Sequence, residues 1–317
     1  MSWTELLPAL RAGDPLALSR LISRVENQGS EKVQIMKTVF AWTGKAYIVG
    51  LTGPPGAGKS TITNGLVELL AEKGLKVGVV CVDPSSPFSG GAFLGDRIRM
   101  TSLDAKPGVF IRSLASRGSL GGLSAAAKDV VQLLDAAGKD VVLIETVGMG
   151  QVGDEIKKLA DTTVLVTVPG LGDGIQTFKA GIMEIADIFI VNKAEREGAD
   201  ETVRDLEMML SEVEPKKWRP RVLKTCALRK EGLEELWESL QEHRRLLEQS
   251  GQWMAQRRNR ANTILLENSK EHVLEKFQRE LEKDELLLGM RRRVDEGSLD
   301  PYTAALFISE YFLANRT

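Results

Sequence analysis

At 317 residues, with hydrophobic residues at 43% and charged residues at 27%, the chain has room for about two domains and an ordinary composition for burying a core. Lys+Arg 42 against Asp+Glu 44 leaves a formal net charge of -2, which removes the basic excess expected of a nucleic-acid binder. No apolar run reaches the ~18 residues of a membrane span, so no membrane partner is expected. Met1 to Arg11 carries Glu5 and Pro8 and lacks the basic start and apolar core of a secretory signal. The two cysteines, Cys81 and Cys226, stand far apart in apolar strand-like segments, which suits a reducing compartment rather than a disulfide frame. A cytoplasmic protein is expected.

In chain order, residues 1 to about 44 read as helices. Leu6, Leu7 and Leu10, then Leu16, Leu18, Leu21, Ile22 and Val25, recur at helical spacing. Gly13-Asp14-Pro15 divides them, with Asp14 a candidate cap and Pro15 at the first helical position. From about 46 the pattern alternates. Strand-like runs lie at Tyr47–Leu51, Val77–Val82, Val141–Ile144, Val164–Val168, Ile188–Val191 and Val222–Leu223. Helical stretches lie at Thr61–Lys73, Leu123–Ala137, Gly174–Ile185, Glu201–Glu212 and Leu233–Leu247. Short apolar strands separated by helices predict an α/β fold, a mostly parallel sheet flanked by helices, with ligands bound beyond the carboxyl ends of the strands. From about 250 the strand signals stop. Leu266, Val273, Phe277, Leu281 and Leu288 mark an intermittent stripe on one expected long helix, which packs either on its own domain or on a second copy. The expected boundaries are 1–44, 45–248 and 249–317.

Gly53-Pro54-Pro55-Gly56-Ala57-Gly58-Lys59-Ser60 satisfies G-x-x-x-x-G-K-[ST], between an expected strand and an expected helix opening with Thr61. Glycines let successive backbone N–H groups turn toward an anion, and the helix adds the positive end of its dipole. In such a P-loop Lys59 reaches the β- and γ-phosphates and Ser60 takes a Mg²⁺ position. Nucleotide hydrolysis also needs acids near the metal. Glu145 ends the strand Val141–Ile144, and Gly148 follows at the spacing of a γ-phosphate sensor. Asp83 ends another strand, and Asp96 follows in the same irregular loop with Ser89-Gly90-Gly91. Lys59, Glu145, Asp83 and Asp96 are the candidate catalytic set, and Ser60, Asp83, Asp96 and Glu145 the candidate metal ligands.

Asn192-Lys193-Ala194-Glu195 resembles the N-K-x-D base-recognition motif of GTPases, with Glu195 in place of Asp. Thr225-Cys226-Ala227-Leu228 stands where their S-A-x loop contacts the base. A carboxylate complements the paired donors of guanine, so GTP is favoured over ATP. Met149 holds the position where small GTPases place a water-orienting Gln. Gln151 is two residues on, and a slow intrinsic rate completed by a partner or a loop movement is expected.

These motifs, joined at their spacing over nearly the whole chain, are similar to the MeaB/ArgK/MMAA group of P-loop GTPases, chaperones of adenosylcobalamin-dependent acyl-CoA mutases. The resemblance rests on Ser19–Asn27, Thr52–Ser60, Asp83–Ser86 with Ser89–Gly91, Leu94–Met100, Glu145–Gln151, Pro169–Gln176 and Lys179–Asp187. It departs at Glu195 and at Val152-Gly153, where relatives often carry Ser-Glu. The resemblance implies a switch at Pro169–Lys179 that couples nucleotide state to the mutase through Asp173, Gln176 and Lys179. It also implies a C-terminal helical dimerisation arm, hence a homodimer. It implies GTP or GDP with Mg²⁺ here and cobalamin on the partner mutase. His243 and His272 lie in polar helical surroundings and read as surface residues rather than ligands. The alternatives are a kinase of a basic amino-acid (LAO/AO) transport system, a metallochaperone GTPase, whose His-rich or paired-Cys tracts are missing from the sequence, and a structural dimer with a degenerate site.

Overall fold

A computed structural model describes residues 2–27, 31–83, 106–115, 125–146, 152–170, 185–212 and 218–314. The chain divides into two compact units, Met1–Gln256 and Arg257–Thr317. The first holds a parallel sheet of seven strands: β1 (Tyr47–Thr52), β2 (Val77–Asp83), β3 (Val109–Ala115), β4 (Val141–Thr146), β5 (Thr162–Thr167), β6 (Ile188–Asn192) and β7 (Arg221–Thr225). They lie in the order β3-β2-β4-β1-β5-β6-β7. Every pairing is parallel, and β1 sits centrally with Leu51 opposite both Glu145 and Val164.

Because β1, β2 and β4 are covered on both faces, their runs are apolar up to the polar residues at their carboxyl ends, and alternate residues enter different cores. Ile48, Val80, Val82, Val142 and Ile144 pack beneath α1 (Trp3–Arg11), α2 (Pro15–Glu26), α3 (Lys32–Val39) and α5 (Ala125–Ala136). Tyr47, Val49, Leu51, Val79, Leu143, Val164 and Ile190 pack beneath α4 (Lys59–Glu72) and the later helix α8 (Leu233–Gln249). Two shorter covers complete the layers: α6 (Val152–Leu159) and α7 (Ala199–Ser211), the latter closing a smaller core with Phe189 and Val191. The N-terminal helices therefore share the core of one sheet face. Asp14 caps α2 as expected, accepting from Leu16 N–H at 2.7 Å and Ala17 N–H at 3.4 Å with Pro15 first in the helix.

The structure departs from the sequence reading in several places. β3 is an edge strand that no apolar run announces, because Arg112 and Ser113 interrupt it. Arg112 reaches out to the carboxylate of Glu26 on α2. The expected strand Val164–Val168 begins earlier, at Thr162, and ends at Thr167. The expected helix Gly174–Ile185 falls almost wholly outside the described residues. His243 is not a surface residue. It is 3% exposed on α8, its Nδ1 lies 2.7 Å from Thr162 Oγ1, and its ring lies 4.7 Å from that of Trp218. Burial pushes its pKa down to about 4, which keeps it neutral. His272 is exposed, as expected.

The second unit holds most of the long helix α9 (Gln252–Lys283), then α10 (Glu285–Asp295) and α11 (Pro301–Ala314). The single long helix expected through Leu288 breaks at Asp284. That carboxylate caps α10, accepting from Leu286 N–H at 2.9 Å and Leu287 N–H at 3.3 Å, and Tyr311 Oη also donates to it at 3.0 Å. Phe277 and Phe312 meet edge to face with centroids 5.0 Å apart. Leu266 and Val273 of the stripe remain more than half exposed. No described helix is long and apolar enough to cross a membrane.

Candidate functional site

The carboxyl ends of β1, β4, β6 and β7 deliver the candidate residues to one edge of the sheet. After Thr52 the chain turns at Gly53, whose φ of +146° and close approach to β5 leave no room for a side chain. A Cβ there would stand 2.1 Å from the Val166 carbonyl oxygen. The loop closes at Gly58 (φ +91°), where a Cβ would stand 2.3 Å from Asn192 Nδ2. Both glycines are thus dictated by neighbours as well as by turn geometry. Gly58 caps α4 without a side-chain bond, and the first turn of α4 carries no acid. Its N–H groups and dipole therefore favour an anion.

Lys59 opens α4 and is 7% exposed. Its ammonium donates to the carbonyls of Gly53 and Pro54, both at 3.0 Å. Lys193, itself in the left-handed region at φ 59°, donates to the Gly56 carbonyl at 2.8 Å. Asn192 Nδ2 donates to the Ala57 carbonyl at 2.8 Å, and its Oδ1 accepts from Thr225 Oγ1 at 3.0 Å and Ala227 N–H at 3.2 Å. One amide thus ties the phosphate-type loop to the loop after β7. Ser60 Oγ donates to Glu145 Oε1 at 2.5 Å, with Glu145 6% exposed at the end of β4. A hydroxyl and a buried carboxylate form a hard oxygen pair beside the anion site. No group of three or more His, Cys, Asp or Glu that could hold a metal occurs among the described residues.

A cavity of about 120 Å³ opens beside the loop, lined by Gly58, Thr61, Asn192, Lys193, Glu195, Arg196, Cys226, Ala227 and Leu228. Glu195 stands exposed at its rim, and Cys226 lines the same cavity. Chiefly the neighbouring Cys226 thiol holds the Glu195 pKa below the usual carboxylate value, and chiefly Glu195 raises that of the thiol. Arg196 lines the cavity without having been singled out in the sequence; its position directly after the N-K-x-E run was the available signal. Thr225, quoted only as the start of its loop, also proves to hold Asn192.

The structure therefore brings together Gly53 through Thr61, Glu145, Asn192, Lys193, Glu195, Cys226, Ala227 and Leu228. Asp83 is described in its backbone, as the last residue of β2, paired in register with Ala115. Asp96, Gly148, Asp173, Gln176 and Lys179 lie outside the described residues.

Known proteins agree with this geometry. The profile of a family described as Methylmalonyl Co-A mutase-associated GTPase MeaB matches residues 18–282. A Pyrococcus abyssi protein whose name marks it as a GTPase by inference is 49% identical over 306 residues, 95% of this chain and 94% of its own length. The GTPase ArgK of Escherichia coli is 33% identical over 316 residues, 97% of this chain and 96% of its own. The mouse mitochondrial methylmalonic aciduria type A homolog is 35% identical over 273 residues, 84% of this chain and 65% of its own. A crystal structure described as that of an LAO/AO transport system kinase aligns with a TM-score of 0.73 at 28% identity, over 98% of this chain and 97% of that one. The chain belongs to the MeaB family and is a GTPase.

Proposed function

We propose that this GTPase is a chaperone of an adenosylcobalamin-dependent acyl-CoA mutase, gating cofactor loading and the protection or reactivation of the mutase by binding and hydrolysing GTP. The observation that carries the nucleotide half is that Lys59 lies on the phosphate-type loop and Asn192 joins that loop to the turn after β7, beside a cavity lined by Glu195 and Cys226. The arrangement spans a phosphate cradle and a base-sized recess. The mutase half rests on the family, whose description names association with methylmalonyl-CoA mutase.

In this reading the backbone N–H groups of Gly53 to Thr61 receive the phosphates. Lys59 exchanges its two carbonyl partners for the β- and γ-phosphate oxygens. Glu195 accepts from the guanine edge, while Ala227 and Leu228 border the base. Phosphate oxygens and the Glu145 carboxylate repel one another unless a cation lies between them. The Ser60 hydroxyl and Glu145, with Asp83 and Asp96 further candidates, suit Mg²⁺, which keeps several waters and few protein ligands. When bound, Mg²⁺ would neutralise charge developing on the phosphates as the terminal P–O bond breaks. Gly148 senses the γ-phosphate. With Met149 unable to orient water, hydrolysis is slow until the mutase completes the site. Asp173, Gln176 and Lys179 transmit nucleotide state to the mutase, and differential affinity for two loop states supplies the coupling. Cobalamin stays with the mutase. The protein works as a homodimer through residues 249–317, in the cytoplasm.

Two measurements test this. Lys59→Ala abolishes GTP turnover; an unchanged rate overturns the mechanism. Capture from the native cell on the tagged chain with a nonhydrolysable GTP analogue recovers a cobalamin-dependent mutase. A transporter component instead, with γ-labelled phosphate left on protein, would favour the second reading, a transport-system kinase like the one whose crystal structure aligns with this chain.

A further inference from the structure

The two outer strands of the sheet are built differently. On β7 the side chains of Arg221 and Lys224, 49% and 53% exposed and paired with Glu242 and Asp200, set charge beside the rim. Charge on an edge strand discourages a further strand from adding to it. β3 is longer, seven residues against five, and pairs with β2 residue for residue from Val109 to Ala115, with no bulge and no proline. Its one charged side chain, Arg112, turns back to α2, where Nη2 donates to the Glu26 carboxylate and to Ser23 Oγ at 3.3 Å. Among the described residues no strand lies beyond it. A cavity of about 350 Å³ stands against this edge, lined by Val109 through Ser113 with Pro15 and Ser19 of α2. Successive side chains of a strand point to opposite faces. Phe110 accordingly packs in the core beneath the N-terminal helices, and Val109 and Ile111 in the core beneath α4. One cavity touches such residues in succession only by running along the edge, where the outward N–H and C=O groups lie. Arg112 Nε and Ser113 Oγ, in the same stretch, are buried without a hydrogen-bond partner.

We propose that the outer edge of β3 is a docking site for an extended segment of another protein, which adds as an eighth strand and sets an acidic side chain opposite Arg112. The main chain of the guest meets the donors and acceptors that β3 leaves open, which supplies affinity without demanding one sequence. The acid supplies the preference. A guanidinium carries five N–H donors, and Glu26 and Ser23 engage only Nη2, so Nε–H remains for a second carboxylate in a charge-assisted bond. A second copy of this chain fits the edge less well. Two-fold pairing of β3 with itself about its centre sets Arg112 against Arg112, and like charges directly opposite are unfavourable.

The test pans a displayed library of random peptides of about ten residues, the upper range of strand length, against the full-length protein. Selected peptides, capped at both ends, are then titrated by fluorescence anisotropy. They carry an acidic residue, and methylating their main-chain nitrogens one at a time weakens binding at every second position, since only alternate N–H groups of an added strand face the sheet. Hydrogen exchange shows the protection they bring on the amides of β3. Arg112→Lys, which keeps a cation for Glu26 but has no Nε–H, weakens the acidic peptides about five- to ten-fold, leaves their amide counterparts unchanged and leaves GTP turnover at the wild-type rate. The methylation scan and the exchange map use the wild type alone, so they decide the matter even if the variant does not fold. No selected peptide, a scan without the alternation, or protection centred on α9 instead of β3 overturns the inference. Protection of β3 that grows with protein concentration in the absence of peptide assigns the edge to a second copy and overturns it as well.

Discussion

His243 shows how one side chain can carry a pH signature far from the nucleotide. Its ring is packed on Trp218 and bonded to Thr162, whose hydroxyl also meets the Tyr47 phenol, and Asp187 stands 3.7 Å from Nε2. Burial outweighs that carboxylate and holds the pKa at about 4. The unfolded chain, titrating near the ordinary histidine value of 6.5, therefore binds more protons between these limits. Stability is fully present above pH 6.5 and declines as the pH falls toward 4, by roughly 3 kcal/mol from this group. Urea titrations of the wild type and His243→Gln across that window will show the decline flattened in the variant. The sequence held a partial clue. Charged Glu242, Arg244 and Arg245 make the neighbourhood look wet, yet Leu236, Leu240, His243 and Leu247 fall at helical spacing on the buried face. At the nucleotide loop no such conflict arose, since Gly53 to Ser60 and Asn192 to Glu195 advertise their chemistry in consecutive residues. Contacts such as Asn192 to Ala227 stayed hidden because they join positions far apart in the chain.

At the scale of elements, Asp135 near the end of α5 fixes how the N-terminal helices run into the sheet. Its carboxylate accepts from Gly44 N–H at 2.6 Å, Lys45 N–H at 3.0 Å and Ala46 N–H at 2.9 Å. Removing it takes a charged acceptor from three backbone donors, of which Ala46 is buried, so Asp135→Ala should destabilise unit 1 by about 1–3 kcal/mol, read as a lowered urea midpoint at constant slope. The element pattern itself was legible where runs are apolar on both faces, as in β1, β4 and β6. It failed at β3, whose Arg112 serves α2, and at α6, which enters the core through Ile156 and Leu159 among its described side chains. It failed again at Asp284, because a capping carboxylate inside a helical pattern reads as one more polar residue until its partners are known.

For the whole molecule, Met1–Gln256 closes its cores on itself, whereas Arg257–Thr317 buries few of its large apolar side chains. Leu265, Leu266, Val273, Leu274, Tyr302 and Leu306 are all more than half exposed. The proposed homodimer covers part of that surface, so light scattering should give twice the 34.8 kDa of one chain. Leu266→Glu with Val273→Glu should halve that mass while leaving nucleotide affinity in place. The bonds that Lys59, Lys193 and Asn192 send to the carbonyls of Gly53, Pro54, Gly56 and Ala57 have a kinetic consequence. Apart from the exchange at Lys59, a loop already cast in shape by its own chain needs little backbone ordering when a triphosphate arrives. Capture can therefore run close to the pace of diffusional docking, and the lifetime of the bound nucleotide, not the speed of its arrival, becomes the quantity the proposed mutase partner would alter to reset the clock.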